Sequence, residues 1–291
     1  MQEKLSFQKA TTMRKLLLLP IILLTTIQLQ AQDNLPLPEN IDAALDSILQ
    51  EGYTLYLYEK IAWVSTDEFI ERIENKSGVR QVVFPSSENE LSALFFRESD
   101  STAVFSFKMD LEARAATMEA EPRPLTDLEK GAIQLKTILR EKIEDSDIPI
   151  SNNPDAAGDL NLEILPLDGL IRLYLLQGTT LNGLIPFGND ITVDFDEDLN
   201  LITWRREHNT FIPAQLNPDE EIGVFFHTHV PDKPFISPTD ICTFLLYGHD
   251  LYGMNTFSVL STAFDRVFTF NAEEFTISVK TLEEWSASLG Q

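Results

Sequence analysis

Two of the four histidines in this 291-residue chain stand together at the end of an apolar stretch. His227 and His229 are separated by one threonine and follow the apolar run 223–226. Because side chains alternate across a strand, both imidazoles are expected on the same face. Two nitrogens at that spacing can reach one metal ion. Taken alone, an ordinary surface pair of histidines is an equally good interpretation.

A serine and an aspartate follow this pair at offsets that support metal chemistry. Ser237 predicts a helix N-cap, Pro238 the first helical position, and Asp240 a carboxylate in the first turn. That carboxylate can point back at the end of the strand. Two histidines and one carboxylate predict a three-ligand zinc site with an open position, which is the catalytic type. The structural alternatives are a plain cap and an acid favoured by the helix dipole.

Together these residues resemble a known signature. His227, Thr228 and His229, then seven residues, then Ser237 and Asp240 are similar to the JAMM motif (His-Ser/Thr-His-x7-Ser-x2-Asp) of JAB/MPN-domain metalloproteases. The resemblance covers residues 125–291 and implies a mixed β-sheet domain flanked by helices. It also implies Zn2+ held by the two histidines and the aspartate. Ser237 would then hydrogen-bond the substrate oxyanion during hydrolysis of peptide or isopeptide bonds.

The chain departs from this family at the residue that acts as the base. Aligning Gly183 with the glycine of the family's pattern puts Thr180 where the family has a glutamate, and threonine cannot accept a proton from a water on zinc. Glu163 and Glu207 are alternative bases. His208 can be a third nitrogen ligand, a substitute base or an ordinary loop residue.

Two functions therefore stay open. The first is an exported JAB/MPN-like zinc hydrolase with impaired activity. The second is a non-catalytic interaction module with a vestigial or structural metal site. The chain has 46 acidic and 22 basic residues, a net charge of −24, which repels phosphate backbones. Nucleic acid is therefore not the expected partner, whereas the resemblance implies a protein or peptide as substrate or partner.

The periodicity of the chain predicts an α+β protein with two domains. Residues 32–124 are expected to form a small α+β domain with its linker, and residues 125–291 the JAB/MPN-like domain. Apolar helical spacing marks 41–49 and 55–73, and β-rich runs mark 79–84, 91–97 and 102–108. Thr126 and Glu129 form a capping-box pattern. The second domain is mostly β, with a hairpin over 191–206, a strand over 222–228, and helices over 239–247 and 282–289.

The N-terminus has the pattern of a secretory signal peptide. Arg14 and Lys15 precede an apolar run over 16–24, and Ala31 offers a small residue for cleavage. The run is too short for a comfortable membrane span, although an uncleaved anchor is the alternative. The pattern predicts a secreted or periplasmic protein of a Gram-negative bacterium, with Met13 as the initiator. The single cysteine, Cys242, excludes an intramolecular disulfide.

We predict that the exported chain begins near Gln32. Residues 1–31 contain four basic residues and one acidic residue, so their removal takes the net charge from −24 to −27. Intact-mass spectrometry of protein recovered from the periplasm or the medium measures this directly. Recovery of a chain that retains residues 1–31 would contradict the prediction.

Overall fold

Helix α1 (Ile41–Arg72) is the longest element of the computed structural model, which describes residues 34–111, 114–216 and 225–289. The sequence predicted two helical stretches here, and they form one uninterrupted helix. No proline separates them, and apolar side chains on this helix are buried from Leu45 to Phe69. The predicted signal peptide lies outside the described residues.

Three antiparallel strands follow α1 as a meander. They are β1 (Val79–Ser87), β2 (Glu90–Arg97) and β3 (Thr102–Asp110), close to the predicted bounds. The expected connector over 111–124 contains two further short strands, β4 (Ala116–Glu119) and β5 (Arg123–Pro124), which both pair with β3. Their pairing covers the edge of β3 that the meander would leave open.

Helix α2 (Asp127–Glu144) begins where its capping box predicted. The Thr126 hydroxyl accepts the amide of Glu129, and the Glu129 carboxylate accepts the amide of Thr126. The two side chains thereby satisfy amides that have no partner within the helix. An antiparallel sheet follows, in the order β10-β9-β7-β6, and its strands are β6 (Leu160–Leu167), β7 (Leu170–Gln177), β9 (Ile191–Phe195) and β10 (Leu201–Arg206).

Two smaller sheets complete the β structure. Strands β8 (Leu184–Gly188) and β11 (Phe211–Gln215) pair with each other. The mixed sheet has the order β12-β13-β14-β15, with β12 parallel to β13 and the other pairs antiparallel. Its strands are β12 (Phe226–His229), β13 (Thr256–Ser261), β14 (Arg266–Asn271) and β15 (Thr276–Lys280). Of the predicted strand over 222–228, residues 222–224 lie outside the described ranges.

The parallel pairing of β12 and β13 requires a crossover, which a helical segment provides. That segment consists of α3 (Pro238–Thr243), a π-helical turn (Phe244–His249) and α4 (Asp250–Tyr252). The sequence predicted a helix over 239–247 but did not predict that Phe244–His249 would be π-helical. Helix α5 (Leu282–Ser288) ends the described chain near its predicted position. Helices with several mainly antiparallel sheets confirm the α+β class.

The described residues, from Asn34 onward, form one compact unit. The first half of α1 packs in a core with α3 and strands β13 and β14, and its second half packs in a core with β2 and β3. The domain boundary at residue 124 stays a prediction. No helix in the described ranges is long and apolar enough to cross a membrane.

Helices α1 and α3 are in close contact at Gly52. A Cβ atom at this position would lie 2.8 Å from the Ile241 Cβ and 3.0 Å from the Pro238 carbonyl oxygen. The absence of a side chain therefore lets α3 rest directly on α1. Gly131 in α2 offers a comparison, because nothing lies within 4 Å of a Cβ built there.

We predict that Gly52→Ala destabilises the protein, whereas Gly131→Ala stabilises it. Alanine gains roughly 0.5–1 kcal/mol over glycine inside a helix, but overpacking a well-packed contact costs about 1–3 kcal/mol. Urea unfolding of both variants gives the two free energies of unfolding. Equal stabilisation by both substitutions would show that the contact at Gly52 is not tight.

Candidate metal centre

Strand β12 turns both of its histidines inward. His227 and His229 are 8% and 3% exposed. Phe226, before them, and Thr228, between them, are exposed. This is the alternation expected of a strand. The end of β12 is held by Thr262, whose amide and hydroxyl both donate to the carbonyl of His229.

Helix α3 presents Asp240 to this face through its own N-cap. The amide and hydroxyl of Ser237 both donate to Asp240 Oδ2 at 2.8 Å, and the Asp240 amide donates to Ser237 Oγ. Asp240 is fully buried. Because the cap holds one carboxylate oxygen, the other oxygen, Oδ1, is left for a different partner. It has no hydrogen bond from the described residues.

A third histidine reaches the same point from a separate part of the chain. His208 follows β10 and is 4% exposed, and its Nδ1 lies 2.9 Å and 3.0 Å from the two carboxylate oxygens of Asp190. Asp190 also accepts the backbone amide of His208 and the hydroxyl of Thr239. One carboxylate therefore fixes both the loop that carries His208 and the start of α3.

The turn before Asp190 depends on a glycine. Gly188 has φ +78° and the next residue, Asn189, has φ +53°, so two left-handed residues in succession redirect the chain into β9. Gly is favoured in this region because it has no Cβ. A Cβ at Gly188 would also collide with the Thr210 carbonyl, two residues beyond His208. The glycine thus lets the β8–β9 turn pack against the His208 loop.

The four side chains meet with the spacing of a tetrahedral metal centre. The three Nε2 atoms of His208, His227 and His229 lie 3.0–3.3 Å apart. Asp240 Oδ1 lies 3.1 Å and 3.2 Å from the Nε2 atoms of His208 and His227, and Asp240 Oδ2 lies 3.4 Å from that of His229. Four ligands at the usual zinc distances of 2.0–2.1 Å would be about 3.3–3.4 Å from one another. This buried cluster can hold a metal ion.

The outer hydrogen bonds determine which ring nitrogens face the centre as acceptors. His208 Nδ1 faces a carboxylate and His229 Nδ1 faces the carbonyl of Phe235, so both Nδ1 atoms carry hydrogen. In the neutral rings, both Nε2 atoms then present lone pairs to each other at 3.0 Å. Such lone pairs repel unless a positive charge lies between them. A proton can bridge one pair of these atoms, whereas a metal ion can satisfy all four.

The charges of the cluster follow from burial and from the neighbouring groups. Burial opposes ionisation of Asp240, but His208 and the two β12 histidines outweigh it and hold its pKa well below the usual range. Burial likewise opposes protonation of His208, but Asp190 and Asp240 raise its pKa well above the ordinary value. Burial lowers the pKa of His229 to about 4. The cluster is therefore an anionic pocket that selects a cation.

Apolar rings surround the cluster on the side of His227. The rings of Phe187 and Phe257 lie 5.4 Å and 5.2 Å from the imidazole of His227, and both phenylalanines are buried. The low polarity of this wall strengthens electrostatic interactions at the centre. Imidazole nitrogens with one carboxylate oxygen, and no thiolate, are a donor set that suits zinc as well as iron, nickel and copper.

The structure brings together His227, His229, Asp240 and Ser237, and adds His208 as a nitrogen donor. It does not bring Thr180 to this cluster. The Thr180 hydroxyl donates to the carbonyl of Ala157, and the residue is exposed at the mouth of another cavity. The resemblance placed it near the metal because of the neighbouring glycine. Residues 178–183 instead form the loop between β7 and β8, which packs on the 156–158 segment.

The two glutamates considered as substitute bases also have other surroundings. Glu207 precedes His208, but it is paired with Arg205 at 2.7 Å and accepts the hydroxyl of Thr192. Glu163 lines the same separate cavity as Thr180. Among the described His, Cys, Asp and Glu residues, the group that could hold a metal ion consists of His208, His227, His229 and Asp240.

The role of His208 had a signal in the sequence. Strands β9 and β10 pair as predicted, with Ile191 opposite Arg206, so the next residues along the ladder bring Asp190 beside positions 207 and 208. A carboxylate opposite a histidine is a frequent support for a metal ligand. Extending the predicted hairpin by one residue pair would have identified the pairing of Asp190 with His208.

Comparison with known proteins gives no relative for this chain. No protein-family model, no curated protein and no solved structure matches it. The function of the chain is therefore inferred from the geometry of the cluster and from the motif itself.

We predict that Asp190→Asn lowers metal affinity about 10–100-fold without removing a ligand, because supporting carboxylates orient and polarise ligating histidines. The measurement is competition against a chromogenic chelator. Asp168→Asn, in the exposed β6–β7 turn, is the matched control and should leave affinity unchanged. Wild-type affinity in Asp190→Asn would mean that the dyad does not support the metal.

Proposed function

We propose that this chain is a JAB/MPN-like module that holds one zinc ion through His208, His227, His229 and Asp240. The observation that carries the proposal is the convergence of three Nε2 atoms, 3.0–3.3 Å apart, on one buried carboxylate whose oxygens lie 3.1–3.4 Å from them. Zinc fits this set because it accepts imidazole and carboxylate ligands in tetrahedral geometry. The metal identity is part of the proposal.

We infer that the ion has a structural role in an interaction module. Sites with four protein ligands are usually structural, whereas catalytic zinc sites keep one position for water or substrate. His208 takes the position that a three-ligand site would leave open. The hydroxyl of Ser237 is directed to Asp240, where it fixes a ligand and completes a helix cap. These contacts support a centre that joins β12, α3 and the loop after β10.

The second candidate is a zinc hydrolase of peptide or isopeptide bonds. The observation that favours it is that Ser237, His227, His229 and Asp240 all lie in one buried cluster, in the arrangement that the JAMM motif implies. Bound zinc would supply Lewis-acid polarisation of the scissile carbonyl. For this activity the chain would have to release His208 from the centre and to supply a base.

Export and a protein or peptide partner complete the proposal. The basic, apolar and small-residue order of residues 13–31 supports secretion to the periplasm or the medium. The strong negative charge supports a partner other than nucleic acid. Pull-down from periplasmic or culture fractions, compared with a variant that lacks zinc, tests whether partner binding needs the metal.

We predict that the mature protein contains one zinc per chain and that EDTA lowers its melting temperature. An ion present at about 1,000 times its Kd stabilises the folded state by about 4 kcal/mol. Elemental analysis by ICP-MS gives the stoichiometry, and thermal unfolding gives the stability. His227→Ala and His208→Ala should both lose zinc and stability, whereas His249→Ala, outside the cluster, should retain its zinc.

Turnover of a peptide library distinguishes the two candidates. The interaction module predicts that wild type cleaves nothing while zinc is bound. Cleavage by wild type, lost in Ser237→Ala with zinc retained, would instead establish the hydrolase. Absence of zinc, or full zinc occupancy in His227→Ala, would remove the basis of both.

A further inference from the structure

A second polar cavity lies apart from the metal cluster. It has a volume of about 520 Å³ and is lined by parts of α1, α2, β6, the loop after β7 and the π-helical turn. None of the residues of the metal cluster lines it. Three groups of side chains define its chemistry: a carboxylate pair, a cationic rim and an aromatic wall. The exposed Asp159 also lines the cavity, and its Oδ1 accepts a hydrogen bond from Asn152.

The carboxylate pair consists of Glu59 from α1 and Glu163 from β6. They are only 6% and 5% exposed. Glu59 Oε2 accepts a hydrogen bond from Asn161 at 2.9 Å, but its Oε1 is buried without any hydrogen-bond partner. In the described chain, the carboxylate of Glu163 has no hydrogen bond and no ion pair within 4.0 Å. Three carboxylate oxygens in one cavity thus lack donors.

Burial makes this pair difficult to ionise without a positive charge. It raises the pKa of both glutamates above the usual carboxyl range, while Lys136 acts in the opposite direction. Lys136 does not reach ion-pair distance of either glutamate. Buried carboxylates are normally hydrogen-bonded or paired. A cation between them would supply what the described side chains do not.

The cationic rim consists of Lys136 and Arg140, one turn apart on α2. Neither side chain forms an ion pair with a described residue. Because these groups stand at the same cavity as the carboxylate pair, a ligand with only positive charges would be repelled at the rim. A ligand that also carries an anionic group would meet an attractive charge at both places.

The aromatic wall consists of Trp63 and Tyr247. Their ring centroids lie 5.6 Å apart at an interplanar angle of 41°, and Trp63 is 37% exposed. Leu162 and Leu246 also line the cavity. These side chains offer apolar contact area to the part of a ligand between or beside its charged groups.

We propose that this cavity binds a small zwitterion of the amino-acid class. The ammonium group lies at the carboxylate pair, where its three N–H donors match the three unpartnered oxygens. The ligand's carboxylate lies at the cationic rim, and its side chain packs on the aromatic wall. The site is independent of the metal and goes beyond the proposed function.

The experiment begins with the zinc-loaded mature protein, residues 32–291, and each of the twenty L-amino acids separately at about 10 mM. At least one should raise the melting temperature. Calorimetry then compares the best amino acid with its methyl ester, which lacks the anion, and its N-acetyl derivative, which lacks the cation. We expect each derivative to bind at least about tenfold more weakly, since each leaves buried charges unpaired.

Substitutions test the same contacts from the protein side. Glu163→Gln and Lys136→Met should each weaken binding of the best amino acid by about tenfold or more. Glu197→Gln, in the exposed β9–β10 turn, should leave it unchanged. Zinc content and circular dichroism of all variants establish that the fold is retained. If Glu163→Gln does not fold, Lys136→Met, at the partly exposed rim, still tests the site.

Several results would overturn this assignment. One is that no amino acid binds at about 10 mM. Another is that the methyl ester binds as well as the free amino acid, which would indicate a simple amine. A third is that Ca2+ or Mg2+ binds and that Glu163→Gln abolishes this binding, which would indicate a metal site.

One result would support the independence of the two sites. Loss of zinc in His227→Ala with amino-acid binding retained would separate this site from the metal centre.

Discussion

The facing lone pairs of His208 and His229 are the constraint on which the centre depends. When both rings are neutral, the outer nitrogen of each donates to an oxygen, so the inner nitrogens meet at 3.0 Å as acceptors. Asp190 and Asp240 outweigh burial and raise the pKa of His208, so a proton on this ring supplies the positive charge when no metal ion does. Without a positive charge between them this arrangement would be repulsive. The anionic Asp240 and the apolar rings beside His227 increase the demand for that charge.

The hydrogen bonds around the centre also hold several elements in position. Asp190 connects the His208 loop with Thr239 at the start of α3, and Ser237 fixes Asp240 in the same turn. Helix α3 in turn rests on α1 at Gly52. The centre is thus connected through α3 to α1, which also packs against the meander sheet. The metal cluster is in this sense part of the core.

The sequence predicted much of the local structure because the signals were local. The hairpin of β9 and β10, the capping box at Thr126, the N-cap at Ser237 and the inward alternation of β12 all depend on residues close together in the chain. The positions of Thr180 and His208 depend instead on which distant loops meet. The turn at Gly188 and the register of the hairpin determine that meeting, and the motif contains neither of them. The cavity at Glu59 and Glu163 joins α1 to β6 and has no local signature.

The ligands of the centre are distributed over residues 208–240, and this spacing has a consequence for the unfolded chain. With a single cysteine, the protein cannot link distant segments through an intramolecular disulfide. An ion shared by His208 and Asp240 closes a loop of about thirty residues, which for a disulfide would correspond to roughly 3–4 kcal/mol of lost chain entropy. Unlike a disulfide, such a cross-link would form only when the fold brings its ligands together, and it would open with chelators or acid but not with reductants.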